Sequence, residues 1–351
     1  MLRRSSVGQN PTTDFEMTSS LRPGHRMTLT SFHAPHAPGA RRRTLERSGV
    51  RLTGHVLLLL ALAGLSPTSA PAQGGRTTII LLGTGTPIPD PDREGPGVAI
   101  VVDSVAYLFD AGTGIVRRAS AAARAGILAL QPPRLGHVFL THLHSDHTLG
   151  LNDVMFTPWI QGRRAPLEVF GPPGTQRLVS SIEQGNVEDI RERIASAGGP
   201  SAEGYRGNVH EIAEGEVFRD ARVTVRAFRV PHSAWKTAFG YRIQTPDRTI
   251  VISGDARANP AIARECNGCD VLIHEVYSDA GFASMSPSRQ PYHAQAHTSA
   301  TQLGEIATAA RPGVLVLYHQ LYFGSTDEQL LVEVRSTFAG KVVSGRDLQR
   351  F

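Results

Sequence analysis

Lysine is almost absent from this chain: two residues in 351, Lys236 and Lys341. Cysteine is as scarce, with only Cys266 and Cys269. The longest apolar run, Val56 to Leu65, is ten residues. Each shortage excludes something. A bilayer span needs about 20 apolar residues, so the run is too short to be one. Two cysteines in a lone CxxC cannot build a four-ligand structural zinc site without further thiolates or histidines nearby. In an exported protein the pair could oxidise; otherwise it reads as two partly buried small residues ahead of a strand. The formal charge of +5 suggests an acidic partner, but its distribution does not. Residues 1–72 hold nine Arg and three acids, a net of +6, which leaves 27 basic and 28 acidic residues in 73–351, a net of −1. The folded part therefore has no bulk charge suited to a polyanion, and nucleic acid is an unlikely partner on this reading.

What is present begins with an N-terminal segment that does not look like fold. Residues 1–50 are rich in Arg, Ser, Thr, Pro and His and show no helical or strand period. The Val56–Leu65 run suits a signal-peptide core, and Ala70-Pro-Ala72 after it is a small-x-small cleavage pattern. The stretch before it is long for such a leader, which points to initiation at Met27 or near Val50. The expectation is an extension and signal peptide over 1–72 and one globular domain over 73–351. The mature protein is expected to be exported, periplasmic or secreted, with no membrane span after cleavage. Oligomeric state is not legible here, and a homo-oligomer stays open.

From Thr77 the pattern becomes globular. Thr77–Leu82 is a β-branched and apolar run; the glycine turn Gly83–Pro87 after it lacks the GKS/T ending of a phosphate loop. Gly97–Val102 and Ala106–Phe109 read as a hairpin, and Ile115–Gly126 as an Ala-rich helix. Further helices are expected over Leu151–Gly162, Ser299–Ala310 and Gln176–Ala197, the last broken near Gly185-Asn186. Val223–Val230 alternates as a half-buried strand. Phe239–Ile243 and Thr249–Ile252 form a second hairpin, and Val271–Ile273 and Val314–Leu317 are apolar strands.

The chemistry sits in Thr141-His-Leu-His-Ser-Asp-His147, after the apolar run Val138–Leu140. Imidazole and carboxylate both bind zinc. His142 and His144 alternate, so in an extended segment they point the same way. Asp146 and His147 fall where the chain must turn and can face a second metal, so the spacing suits two adjacent ions. Other apolar strands also run into polar residues: His232, Asp255 and His319 each follow one. Strand ends meeting on one edge would make a single polar site on a rigid scaffold.

The HxHxDH pattern resembles the metallo-β-lactamase superfamily. TIILLGTGTP, LFDAG, FLTHLHSDH, FGYRI, VISGDA and VLIHEV resemble its ribonuclease Z branch in order and spacing. The resemblance covers the chain from about Thr77 onward and implies an α/β (α+β) fold, a four-layer αββα sandwich. It implies two zinc ions, with His142, His144 and His232 on one, Asp146, His147 and His319 on the other, and Asp255 bridging. A dimetal pair of this kind makes hydroxide from a bridging water at neutral pH. By the same resemblance His297 and Glu275 handle protons and Asp146 belongs to the catalytic machinery. The chain departs from that branch in the short FGYRI–VISGD connection and in NVEDIRERIASAGGP, which does not look like a basic tRNA-gripping arm. There it looks more like exported arylsulfatase-type members. The expected activity is hydrolysis of a small-molecule sulfate or phosphate ester. The alternatives are a ribonuclease Z-like phosphodiesterase or tRNA 3′-endonuclease, a lactonase-type hydrolase, and a non-catalytic metal-binding relative.

Overall fold

A computed structural model describes residues 77–351. The expected extension and signal peptide over 1–72 lies outside the described residues. β1 (Thr77–Gly83) shows the logic of the fold in one strand: Ile79 and Leu81 enter one core, Ile80 and Leu82 another, and all four are fully buried. A strand with a core on each face belongs to a sheet covered on both sides.

That sheet has six strands in sequence order. They are β1, β2 (Gly97–Val102), β3 (Val105–Phe109), β4 (His137–Phe139), β5 (Leu167–Gly171) and β6 (Gly207–Glu211). β1 to β3 pair antiparallel, and β3 to β6 pair parallel. A second sheet has seven: β7 (Gly215–Arg219), β8 (Thr224–Arg229), β9 (Phe239–Gln244), β10 (Thr249–Ile252), β11 (Val271–Tyr277), β12 (Val314–Leu321) and β13 (Val342–Ser344). Ile79, Phe109 and Phe139 from the first sheet share one apolar cluster with Tyr241, Ile252 and Ile273 from the second. This is the central core.

Helices close the outer faces. α1 (Ile115–Arg124) precedes the short α2 (Ser145–Thr148) and α3 (Leu151–Ile160). Val116 of α1 and Val154 and Trp159 of α3 pack with Ile80, Leu82 and Val138. α4 (Thr175–Gly185) and α5 (Val187–Ala195) are separated at Asn186, where the sequence places a break. α6 (Pro260–Cys266), α7 (Asp279–Ser284), α8 (Gln290–Ala296), α9 (Ala300–Ala310) and α10 (Asp327–Arg335) follow. Ile262, Leu303 and Leu330, from α6, α9 and α10, pack on Val251, Leu272 and Leu315 of the second sheet. The layers are thus αββα. Ser299 starts α9 with a capping box, its hydroxyl accepting from Gln302 N–H while the Gln302 side chain accepts from Ser299 N–H.

Two strands run further than the sequence suggests. β11 continues through His274 and Glu275 to Tyr277, and β12 continues through His319 to Leu321. Their pairing slips between His274 and Val276, which face Leu317 and Gln320. Tyr318 and His319 therefore both stand opposite Glu275, a bulge that re-aims a side chain. His319 takes φ 46°, an uncommon left-handed conformation for a side chain of its size. Cys266 and Cys269 are joined as a disulfide at the end of α6, with both residues buried. Among the described residues no helix is long and apolar enough to cross a membrane.

Candidate metal centre

All seven residues expected as ligands come together at one end of the two sheets. His142 and His144 lie on the loop after β4, and Asp146 and His147 lie in α2. His232 follows β8, Asp255 follows β10, and His319 sits in the β12 bulge. Gly254 makes the last turn before Asp255 with φ +61°, and a Cβ there would stand 2.8 Å from the Phe239 carbonyl oxygen. Only glycine meets both demands without strain.

Ring nitrogens crowd at the first group. His142 Nε2 and His232 Nε2 each lie 3.0 Å from His144 Nδ1. His232 Nδ1–H donates to the Ala296 carbonyl at 2.7 Å, which leaves Nε2 as a bare lone pair aimed at the centre. His142 Nδ1 lies 3.0 Å from Thr141 Oγ1, and Trp235 Nε1–H donates to His144 Nε2 at 2.7 Å. Burial holds His142 well below the usual imidazole range and lowers His144 to about 4; burial also lowers His232. Three neutral imidazoles with converging nitrogens are what a zinc ion takes.

The second group carries the acids. Asp146 Oδ2 is 3.2 Å from His319 Nε2 and 3.5 Å from His147 Nε2. Asp255 lies between the groups: its oxygens are 3.2 Å from His147 Nε2, 3.6 Å from His319 Nε2 and 3.9 Å from His232 Nε2. Burial works against a charge on Asp255, but His319 and His147 outweigh it and hold the carboxyl well below its ordinary range. Two sets of ligand-type atoms lie within 4.8 Å of one another: His142, His144, His232 and Asp255 form one, and Asp146, His147 and His319 the other. Both could hold a metal. Buried atoms left without a hydrogen-bond partner point the same way, because His147 Nε2 and Asp255 Oδ1 are both orphaned. Native interiors rarely leave such atoms unpaired without an ion or water to meet them.

His297 and Glu275 stand together beside this group, with His297 Nδ1 3.4 Å from Glu275 Oε2 and 3.9 Å from Asp255 Oδ2. Glu275 Oε1 accepts from Thr298 N–H at 2.9 Å and Ala256 N–H at 3.3 Å. Burial, then the nearby Asp255 charge, pushes the Glu275 carboxyl well up. Burial pushes His297 down to about 4. His297 also comes within 4.8 Å of Asp255 and His319 as a third set of ligand-type atoms.

One residue of this site escapes the sequence reading. Asp110, at the end of β3, is buried and takes φ 61°. Its Oδ2 accepts from His147 Nδ1 at 2.9 Å, and its Oδ1 accepts from Thr141 N–H at 2.8 Å. It orients a ligand-type histidine and anchors the start of the histidine loop. The available signal is LFDAG, a carboxylate directly after an apolar strand.

Residues 106–320 match the pattern of the beta-lactamase superfamily domain. The fold and the cluster define a hydrolase of that class, and the chain belongs to this superfamily and to its ribonuclease Z-like branch. It is 32% identical to ribonuclease Z of Mycobacterium bovis over 281 residues, 78% of this chain and 96% of that protein. Against ribonuclease Z of Mycobacterium marinum the figures are 32% over 277 residues, 78% and 97%. The crystal structure of human tRNase Z, short form, aligns with a TM-score of 0.58 at 22% identity, over 78% of this chain and 98% of that one. A metallo-beta-lactamase fold protein of Bacillus subtilis aligns with the same score at 17% identity, over 78% and 99%.

These relatives correct one expectation. The near-neutral charge of residues 73–351 argues against nucleic acid as a partner. Relatives that share nearly their whole length with this chain are named for cleaving RNA. A summed charge says nothing about where the arginines stand, so near-neutrality does not exclude RNA. The arylsulfatase-like reading likewise gives way to the ribonuclease Z-like one.

Proposed function

We propose that this chain is a dizinc phosphodiesterase of ribonuclease Z type that cleaves a phosphodiester bond in RNA. The observation that carries it is 32% identity spread over 96% of ribonuclease Z. In this reading His142, His144 and His232 would hold one zinc and Asp146, His147 and His319 the other, with the Asp255 carboxylate available to either group. Bound there, the two ions supply an activated water at neutral pH and offset charge on the phosphoryl oxygens.

The chain's own groups do the rest. Asp110 fixes the His147 ring with Nε2 facing inward. His144 Nδ1 can be a ligand only when unprotonated, so its proton sits on Nε2, against the indole N–H of Trp235. Trp235 must therefore turn away from that nitrogen when the site is filled. Burial pushes His297 down to about 4, and a phosphodiester anion entering beside it draws this upward. His297 can then give a proton to the leaving oxygen, with Glu275 holding the ring in place.

Asp110→Asn tests the support of His147. Asparagine keeps an acceptor for Thr141 N–H but loses the charge behind the ring. The expected result is a roughly 10- to 100-fold loss of zinc affinity at one of two sites, measured by chelator competition. Affinity within twofold of wild type would remove Asp110 from this role.

The reading as a whole is tested by a hydrolysis screen of zinc-loaded protein on a pre-tRNA, bis-p-nitrophenyl phosphate, p-nitrophenyl sulfate and a lactone. Cleavage of the RNA and the phosphodiester is expected. Turnover of only the sulfate or only the lactone would overturn it.

A further inference from the structure

Two cavities of about 510 Å³ each open beside the metal centre, and His144 lines both. The first reaches from Asp146 and His297 to Arg289 and Tyr292 at α8. The second reaches from His144 to Trp235 and Lys236 on the loop after His232. Tyr292 is 49% exposed and Trp235 36%. Tyrosine and tryptophan rings, apolar in body and polar at one edge, are enriched where a protein meets a partner.

A cation accompanies each ring. Arg289 and Lys236 are exposed, and neither side chain has an ion pair or hydrogen bond among the described residues. Several other exposed arginines, Arg164 and Arg177 among them, are equally unpaired, so what sets Arg289 and Lys236 apart is that each lines a cavity at the metal centre. Lys236 is also one of only two lysines in the chain. Each cavity thus pairs an aromatic face with an unclaimed positive charge. A nucleotide presents the complement, a flat base and a negative phosphate. A small ester would fill one cavity and leave the other without purpose.

We infer that the two cavities are nucleotide subsites on opposite sides of the scissile phosphate, one built from Tyr292 and Arg289 and the other from Trp235 and Lys236. Single-stranded RNA then crosses from one cavity to the other over the metal centre, and cleavage is internal. This rests on the phosphodiesterase reading above and adds the strand's path and the residues that grip it.

The deciding measurement is the salt dependence of kcat/KM on a single-stranded oligoribonucleotide, using the zinc-loaded full chain. Each phosphate contact contributes about 0.7 to the slope of log affinity against log salt. Arg289→Ala and Lys236→Ala should each flatten the slope by about 0.7 and raise KM about tenfold, with kcat changed much less. Arg289→Lys and Lys236→Arg keep the charge and should restore the slope, which a merely structural defect would not. Tyr292→Ala should raise KM about tenfold, and Tyr292→Phe, which keeps the ring, should not. If neither alanine variant moves the slope while RNA is still cleaved, the subsites are wrong and the phosphodiesterase reading stands. If only one moves it, the two-sided path is wrong. If wild type cleaves no RNA, both readings fall together.

Discussion

Asp255→Ala is expected to take the protein from about two zinc ions per chain to fewer than one and to cut phosphodiester hydrolysis roughly 1000-fold. Among the described residues its carboxylate is the one carboxylate within 4 Å of imidazoles from both clusters, at 3.2 Å from His147, 3.6 Å from His319 and 3.9 Å from His232. Removing it leaves the imidazoles and Asp146 to hold two dications, with one anion where two stood. Metal stabilisation of a transition state is worth several kcal/mol, and each 1.36 kcal/mol is tenfold in rate, which sets the magnitude. Asp255→Asn keeps the shape and loses the charge, so it should lie near the alanine variant. Elemental analysis of folded protein is the direct measurement. Two ions retained in Asp255→Ala would show that the clusters bind independently and that no carboxylate joins them.

The cluster of ligand-type residues is legible in the sequence because its densest part is local. Four ligand-type residues in six positions after an apolar strand leave few other readings, and the strand ends before His232 and Asp255 extend the pattern. Asp110 is not legible, for a physical reason. A single aspartate before Ala-Gly has the composition of a turn, and only the fold shows that it faces His147 across 37 positions of sequence. The extents of β11 and β12 escape on the same ground. His274, Glu275 and His319 look like strand ends to any hydropathy rule, yet all three are fully buried within strands. Backbone groups meet His274 Nδ1 and Glu275 Oε1 and Asp146 meets His319 Nε2, while His274 Nε2, Glu275 Oε2 and His319 Nδ1 have no hydrogen-bond partner, an arrangement hydropathy cannot anticipate. The layering is readable because β1 and its neighbours are apolar on successive residues, as a sheet buried on both faces requires. Net charge misleads because a sum contains no positions, and it says nothing of cations such as Arg289 and Lys236 that line the cavities beside the site.

His297→Ala is expected to slow RNA cleavage about 100-fold while changing bis-p-nitrophenyl phosphate hydrolysis far less. A general acid contributes roughly 10²–10⁴ where the leaving oxygen needs a proton. A ribose oxygen needs one, and p-nitrophenolate leaves without it. The position suits an acid. His297 is 5% exposed, lines the same cavity as Asp146 and Asp255, and has Glu275 Oε2 3.4 Å from its Nδ1. The geometry also offers it another role, since His297, Asp255 and His319 together could hold a metal. The two roles separate cleanly by metal content. An acid can be removed with both zinc ions retained, whereas a ligand takes zinc with it and slows both substrates alike. Glu275→Gln adds a second reading of the same pair: if Glu275 positions the ring, this variant should lower kcat on RNA with little change in KM and leave zinc content at two. An equal loss on both substrates, with zinc depleted, would assign His297 to the metal and leave the leaving oxygen to be protonated by water.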